Sequence, residues 1–129
     1  MPGSFSDYLE NKILDHLRGT SYTAPSGLYI GLFSSAEGDA GGGTEVTTTI
    51  RPAGRVAATM GAASGGSMSN SAVADFGASA GAATVTYFGV FDAASAGNLL
   101  FAGPVTTTLS ITTGINVSWP IGSLVVSLD

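Results

Sequence analysis

Apolar side chains recur at every fourth position near the start of the chain, which is the spacing of one face of a helix. The stripe consists of Phe5, Leu9, Ile13 and Leu17, with Leu14 beside them. It predicts an amphipathic helix over Phe5–Leu17, with Ser4 or Ser6 as the N-cap and Gly19 at the C-terminal end. Because so much apolar surface is unfavourable in water, we expect the helix to pack on its own domain or on a neighbouring chain.

After residue 20, apolar and polar positions alternate in short segments, a pattern typical of β-strands. In the first segment, Leu28, Ile30 and Leu32 are expected to form the one buried face. Strands are predicted at 28–33, 45–50, 55–60, 72–76, 83–91, 99–102, 105–111, 115–120 and 124–128, and Gly-rich loops at 34–44 and 61–71. The hydroxyls of Thr47–Thr49 and Thr106–Thr108 suit a solvated strand face.

These elements define the expected fold class. Roughly eight short strands, with no second helical segment to form crossovers, predict a mainly β fold. We expect an antiparallel β-sandwich or small barrel with one N-terminal amphipathic α-helix. With 129 residues the chain is expected to form a single domain, with the helix in residues 1–19 and the β-sandwich in residues 27–129.

Charge and composition narrow the classes of partner. Four basic and nine acidic residues give a net charge of −5, so neither nucleic acid nor an anionic membrane is expected as a partner. No apolar run approaches the roughly 18 residues of a membrane span, and no cleaved leader is expected. With no cysteine and 19 glycines diluting the core, additional stability is expected from self-association, with a homotrimer favoured.

Patterns that would indicate catalysis are weak. Gly77–Gly81 matches the nucleophile-elbow spacing G-x-S-x-G, but no helical pattern follows Ser79, and the one histidine, His16, lies upstream on the predicted helix. Asp75 and Asp92 are interpreted as turn formers or as partners of the two arginines that follow residue 50. The sequence therefore predicts no catalytic residue, no cofactor and a non-enzymatic protein.

Acidic residues in a Gly-rich loop raise the question of a metal site. Glu37, Asp39 and Glu45 offer the oxygen ligands that a hard cation prefers. Gly41–Gly43 interrupts the series, whereas calcium loops place carboxylates at alternating positions. We interpret the segment as a solvated loop and predict no metal site.

Trp119 is the largest side chain in an alternating segment with Ile115, Val117 and Ile121. It is interpreted first as a core anchor and second as an interface anchor. The candidate interface predicted from the sequence comprises Phe5, Leu9, Ile13, Leu17 and Trp119.

Five segments spread over the chain resemble a known group of proteins. They are FSDYLENKILDHL at 5–17, LYIGL at 28–32, SNSA at 69–72, FGVFD at 88–92 and GNLLF at 97–101. In these segments the chain is similar to small structural proteins of tailed bacteriophages, often labelled tail-fibre-like. The resemblance implies a virion component assembled in the host cytoplasm, and it brings no catalytic residues with it.

Two positions in a virion are open to such a protein. A fibre shaft spans distance through repeats or long coiled coils, and the sequence contains neither. A compact domain with an apolar helix therefore favours a capsid decoration or cement protein that binds the major capsid protein and stabilises the outer shell at the particle surface. The alternative is a tail-fibre or tail-tip structural or adhesion module, and a carbohydrate-binding module is a more remote one.

Overall fold

The computed structural model describes residues 4–39 and 41–127. Within these residues nine strands and two helices follow one another along the chain. They are β1 (Ser4–Phe5), α1 (Asp7–Leu17), β2 (Leu28–Phe33), α2 (Thr47–Ile50), β3 (Val56–Ala58), β4 (Ser67–Ser69), β5 (Ala74–Ala78), β6 (Ala83–Phe91), β7 (Leu99–Ile111), β8 (Asn116–Trp119) and β9 (Val125–Ser127). The predicted strand at 124–128 corresponds to β9, and residue 128 lies outside the described residues.

The strands form antiparallel sheets around one core. Among the described residues they give a five-stranded sheet in the order β1-β7-β6-β2-β3 and two two-stranded ladders, β4-β9 and β5-β8. The buried core cluster joins the large sheet to both ladders: it includes Ile30 and Phe101 of the sheet, Phe76 and Trp119 of one ladder, and Val126 of the other. The predicted mainly β, antiparallel fold with one N-terminal helix is confirmed, and no closed barrel forms within this part of the chain.

The N-terminal helix starts two residues later than predicted. Ser4 and Phe5 pair with Ala102 and Phe101 of β7, so the first residues of the predicted helix belong to a strand. Ser6 is the N-cap, and its hydroxyl accepts a hydrogen bond from the Leu9 amide at 3.2 Å. The inclusion of Phe5 in the helix is therefore wrong, because pairing with a distant strand overrides the local helical spacing.

The predicted strand at 45–50 is wrong as well, since Thr47–Ile50 forms one helical turn. The hydroxyl of Thr47 accepts a hydrogen bond from the Leu32 amide at 2.9 Å and donates one to a carboxylate oxygen of Glu45 at 2.6 Å. Thr47 is buried rather than placed on a solvated strand face. Its hydroxyl therefore provides a hydrogen-bond acceptor for the buried Leu32 amide of β2. The local sequence pattern does not predict this contact.

Strand β7 unites two segments that were predicted as separate strands. It runs through Pro104, and its register against β6 shifts between Val85 and Tyr87, so that residue 86 lies opposite the longer segment 105–108. The threonines 106–108 in this irregular stretch are exposed, as predicted. Pro104 lacks a backbone donor, which suits a place where strand pairing is interrupted.

Strand β2 is covered on both faces, whereas the alternating pattern predicted one buried face. Gly31 pairs with Gly89 of β6, and these two positions leave room for the rings of Phe33 and Phe91. The rings stack with centroids 6.1 Å apart and an interplanar angle of 17°. A Cβ at Gly89 would lie 2.9 Å from a ring atom of Phe33, so a larger residue forces the ring layer to move.

Candidate interface surfaces

The apolar stripe of α1 is divided between the domain and the solvent. The helix packs beside β7, and its Leu9 and Ile13 are half-buried. None of its residues is fully buried. Leu14 is 61% exposed and Leu17 is 77% exposed. The outer part of the stripe is therefore an apolar surface that the domain itself leaves uncovered.

The two aromatic members of the candidate interface lie against the core. Phe5 is half-buried and meets Phe101 edge to face, with ring centroids 6.0 Å apart. Trp119 is only 8% exposed and meets Phe76 edge to face at 5.7 Å. Of the two interpretations of Trp119, its burial supports the core anchor, and the side chain offers little surface to a partner.

Neither of the isoleucines that alternate with Trp119 shares its burial. The strand β8 ends at Trp119, and Pro120 follows it. Val117 is buried, but Ile115 is 50% exposed and Ile121 is 65% exposed, because both lie outside the strand. The alternation in the sequence predicted that the two isoleucines lie on the same face as Val117 and Trp119. That prediction is wrong because the strand ends before it includes either isoleucine.

Negative charge gathers at the N-terminal end of α1. Carboxylate oxygens of Asp7, Glu10 and Asp39 lie within 4.8 Å of one another, and all three residues are exposed. The Asp7 amide donates to the Asp39 carbonyl at 3.1 Å, and the Ser4 hydroxyl donates to the Asp39 carboxylate. The positive end of the helix dipole favours carboxylates here. This group shares only Asp39 with the acidic set considered from the sequence.

The other two acidic residues of that set have partners elsewhere. Glu37 accepts a hydrogen bond from the Gly43 amide at 2.7 Å, which closes the Gly-rich loop on itself. Glu45 binds Arg55 through both carboxylate oxygens, at 3.0 Å from Nε and 2.9 Å from Nη2. Glu37, Asp39 and Glu45 therefore do not act together as one ligand set.

The Arg55 side chain is a charged group that the protein largely encloses. It is 8% exposed, and its guanidinium lies 3.4 Å from the ring centroid of Phe91. Its Nη1 donates to the carbonyls of Ala93 at 3.0 Å and Ala96 at 2.7 Å. Arg55 thus joins the segment after β6 to the segment before β3.

A glycine makes this arrangement possible. A Cβ at Gly31 would lie 2.7 Å from a carboxylate oxygen of Glu45 and 3.4 Å from Nε of Arg55. The ion pair therefore lies directly over the strand backbone, on the face that the alternating pattern had assigned to solvent. Burial alone would raise the pKa of Glu45, but hydrogen bonds from Arg55 and Thr47, together with the charge of Arg55, hold the pKa below its ordinary value.

Replacing Glu45 by Gln is expected to lower the free energy of unfolding by about 1–2 kcal/mol at neutral pH, because an enclosed guanidinium loses its charged partner. The side chain of Glu45 is 30% exposed, which reduces the effect below that of a fully buried pair. Because the pKa of Glu45 is lower in the folded protein than in the unfolded chain, ionised Glu45 stabilises the fold at any pH above its unfolded-state pKa. This stabilisation is lost as the pH falls through the folded-state pKa of Glu45. Denaturant unfolding from neutral to acidic pH measures both effects.

Glu10→Gln, at an exposed position, is the matched control for Glu45→Gln. It is expected to change the free energy of unfolding little at neutral pH. The Glu45→Gln protein is expected to lose less stability on acidification than the wild type. Equal pH dependence in those two proteins would contradict the assigned role of the ion pair.

A cavity of about 410 Å³ lies beside the ion pair. Its walls include Glu45, Thr48, Arg55 and Ser95, together with residues 52–54. The charged groups of Arg55 and Glu45 are already bound to each other and to main-chain carbonyls. These contacts hold two loops together, so few charged donors of this pair remain free to bind a ligand in the cavity.

The residues considered for catalysis have structural partners. Ser79 is 3% exposed, and its hydroxyl donates to the Gly81 carbonyl at 2.6 Å. His16 is exposed on α1, where its Nδ1 accepts a hydrogen bond from the Tyr22 amide at 3.3 Å. A buried hydroxyl bound to a carbonyl differs from the exposed nucleophile of an elbow motif.

Asp75 and Asp92 form turns, as predicted. A carboxylate oxygen of Asp75 accepts from the Gly77 amide at 2.8 Å, where the register of β5 shifts. Asp92 accepts from the amide of Asn98 at 2.7 Å and from its side chain at 2.9 Å. The direct ionic partner of Arg55 is Glu45 instead.

The comparisons with known proteins give one family. Residues 4–127 match the model of the family described as Podophage GP4 fiber I protein gp80. The match extends from β1 to β9 and includes α1. No curated protein matches the sequence. The described part of the chain holds no helix that is long and apolar enough to cross a membrane.

Proposed function

We propose a docking function for this chain, which belongs to the family of the podophage GP4 fiber I protein gp80. The family is one of phage virion structural proteins of the tail-fibre-like kind, so the resemblance found in the sequence is confirmed. The proposed role is non-enzymatic: the chain attaches to another virion protein through the outer face of α1. The observation that carries this proposal is the exposed apolar pair Leu14 and Leu17.

The helix is held in a fixed position, which favours its use as a docking element. The Ser6 amide donates to the Leu100 carbonyl at 2.9 Å, and the Ser6 hydroxyl donates to the Leu99 carbonyl. The preceding strand β1 pairs with β7. An apolar face held rigidly by its domain loses little conformational entropy on binding, so more of its interaction energy contributes to affinity.

The charges along α1 and at its start support a proposal about the chemistry of the partner. Asp7, Glu10 and Asp39 lie at the start of α1, and Asp15 near its end pairs with Arg18 at 3.0 Å. The acidic side chains are in excess over the basic ones in this part of the surface. We propose that the partner is a virion protein with an apolar groove bordered by Lys or Arg residues.

Two positions in the virion suit this partner. Attachment to the fibre is favoured by the family to which the chain belongs, since that family is the one of a podophage fibre protein. Attachment to the capsid as a decoration protein, with the major capsid protein as partner, is favoured by the single core and by the absence of a coiled coil or repeat in residues 4–39 and 41–127. We propose fibre attachment as the first candidate and capsid decoration as the second.

Gold labelling of intact virions with antibodies against the purified chain distinguishes the two positions. Label at the tail supports fibre attachment, and label distributed over the shell supports decoration. Quantitative mass spectrometry of purified particles gives the copy number, which is expected to be low for a fibre component and high for a shell component. Particles that lack the chain would contradict both candidates.

A further inference from the structure

The turn between β6 and β7 holds one residue in an unfavourable backbone conformation. Ala96 has a φ of 51°, and in residues 4–39 and 41–127 it is the one residue other than glycine with a positive φ. Its carbonyl accepts a hydrogen bond from Nη1 of Arg55 at 2.7 Å, and Asp92 closes the turn through Asn98. Strained backbone persists where surrounding contacts enforce it, and it is concentrated at functional sites.

The strained residue lies in the wall of the cavity beside the ion pair of Glu45 and Arg55. The cavity volume of about 410 Å³ falls within the range of roughly 300–1,000 Å³ that is typical of small-molecule sites. Its wall combines small apolar residues at positions 52, 53, 94 and 96 with the exposed, hydroxyl-bearing Thr48 and Ser95. The wall is therefore part apolar and part hydrogen-bonding.

The Glu45 carboxylate retains hydrogen-bonding capacity at this cavity. Its Oε2 accepts from Nε of Arg55 at 3.0 Å and from the Thr47 hydroxyl at 2.6 Å. Within the described residues its Oε1 accepts only from Nη2 of Arg55, at 2.9 Å, although a carboxylate oxygen can accept two hydrogen bonds. Because the pKa of Glu45 lies below its ordinary value, the carboxylate is ionised at neutral pH. A ligand group that binds to Oε1 must therefore donate a hydrogen.

The charges at the cavity select a neutral donor. Among the described residues that line it, only Glu45 and Arg55 are charged, and they form an ion pair. A ligand ammonium at Glu45 would be repelled by the guanidinium beside it. A ligand anion would be repelled by the carboxylate, and most donors of Arg55 are already bound to Glu45 and to two main-chain carbonyls. A neutral hydroxyl meets neither repulsion.

We infer that this cavity binds a neutral sugar unit. A sugar ring carries several hydroxyls, each a donor and an acceptor, and its apolar C–H groups lie between them. In the proposed complex one hydroxyl donates to Oε1 of Glu45, others bind the hydroxyls of Thr48 and Ser95, and C–H groups pack on the small apolar residues of the wall. No residue of α1 lines the cavity, so this inference does not depend on docking through α1.

Nuclear magnetic resonance of the isotope-labelled wild-type chain tests the site, with glucose, galactose, mannose and N-acetylglucosamine as probes. At least one of these sugars is expected to shift the amide signals of residues 45–55 and 93–97 in a saturable manner, with a dissociation constant in the millimolar range. Glucosamine, which is cationic, and glucuronate, which is anionic, are expected to bind more weakly than the neutral sugars.

Three variants test the proposed contacts without touching the ion pair. Thr48→Ala and Ser95→Ala each remove one exposed hydroxyl, and each is expected to weaken binding by about two- to tenfold, the effect of one lost hydrogen bond. Ala94→Trp fills the cavity from an exposed position and is expected to abolish binding. Thr107→Ala, at an exposed position of β7 outside the cavity, is the matched control and is expected to bind like the wild type. Thermal melting of each variant verifies that its fold is intact.

The outcomes separate this inference from the docking proposal. Absence of saturable shifts with all the neutral sugars, or shifts confined to other parts of the chain, would overturn the sugar site. Wild-type affinity in Thr48→Ala, Ser95→Ala and Ala94→Trp together would overturn it too, as would tighter binding of either charged sugar. The Leu17→Asp variant is expected to bind sugar like the wild type, so its loss from virions bears on docking alone.

Discussion

Virions assembled with the Leu17→Asp variant are expected to carry little of this chain, while the purified variant melts at nearly the same temperature as the wild type. Leu17 is 77% exposed, so the new carboxylate remains in water in the free protein, and the change in stability should be within about 0.5 kcal/mol. On docking, the same carboxylate would enter an apolar groove and lose its hydration without a partner. Quantitative mass spectrometry of purified particles and thermal melting of the isolated chain measure the two effects.

The matched control is Asn11→Asp, which adds the same charge at an exposed position of α1 away from the apolar stripe. It is expected to be incorporated at the wild-type level. Leu14→Ser tests the same surface without adding charge. Incorporation of Leu17→Asp and Leu14→Ser at wild-type levels would contradict docking through α1, and unfolding of both variants would show that the outer stripe belongs to the domain core.

The Phe101→Ala variant is expected to lose about 3–5 kcal/mol of unfolding free energy, the largest effect on stability that we predict. Phe101 is 1% exposed and its ring contacts Phe5 at 6.0 Å and Phe88 at 6.0 Å between centroids. Truncation leaves a cavity at the junction of β1, β6 and β7. Urea unfolding followed by fluorescence measures the loss.

The same variant is expected to loosen the N-terminal region, because β1 pairs with β7 at the Phe5–Phe101 position. Hydrogen exchange in α1 should accelerate more than exchange in the β5–β8 ladder. Thr107→Ala, an exposed change on β7, is the control and should alter stability by no more than about 0.5 kcal/mol. If Phe101→Ala protein is too unstable to purify, Phe101→Leu should give a smaller loss of the same sign. Wild-type stability in the Leu variant would contradict the core position of Phe101.

Several elements could be predicted from local patterns because local geometry decides them. Most of α1 could be predicted from the apolar residues at every fourth position. Its N-cap at Ser6 could be predicted because a serine hydroxyl readily accepts a hydrogen bond from a free amide of the first helical turn. The strand at 83–91 was predicted with the bounds that β6 has, since alternating β-branched and aromatic residues favour extended backbone. The turn roles of Asp75 and Asp92 follow from the reach of a short carboxylate to a nearby amide.

The candidate interface was predictable only in part. The sequence indicated that α1 has an apolar stripe, but only the tertiary structure decided that Leu9 and Ile13 are half-buried while Leu14 and Leu17 are exposed. The spacing of apolar residues does not predict how much of the stripe the rest of the domain covers. The exposure of Ile121 was not predictable from the pattern either, because Ile121 shares the alternation of Trp119 while the strand ends at Trp119.

The sequence by itself determined the class of the protein: a mainly β chain with one amphipathic helix, an excess of acidic residues and a resemblance to phage structural proteins. The structural properties follow from composition and from contacts between residues close in the chain, whereas the resemblance rests on the five similar segments. Only the tertiary structure decided that Phe5 is a strand residue, that Thr47 serves the amide of Leu32, and that Arg55 pairs with Glu45 over Gly31. The physical reason is that each of these depends on a partner brought close by folding, and burial of a polar or apolar group is decided by that partner rather than by the neighbours in sequence.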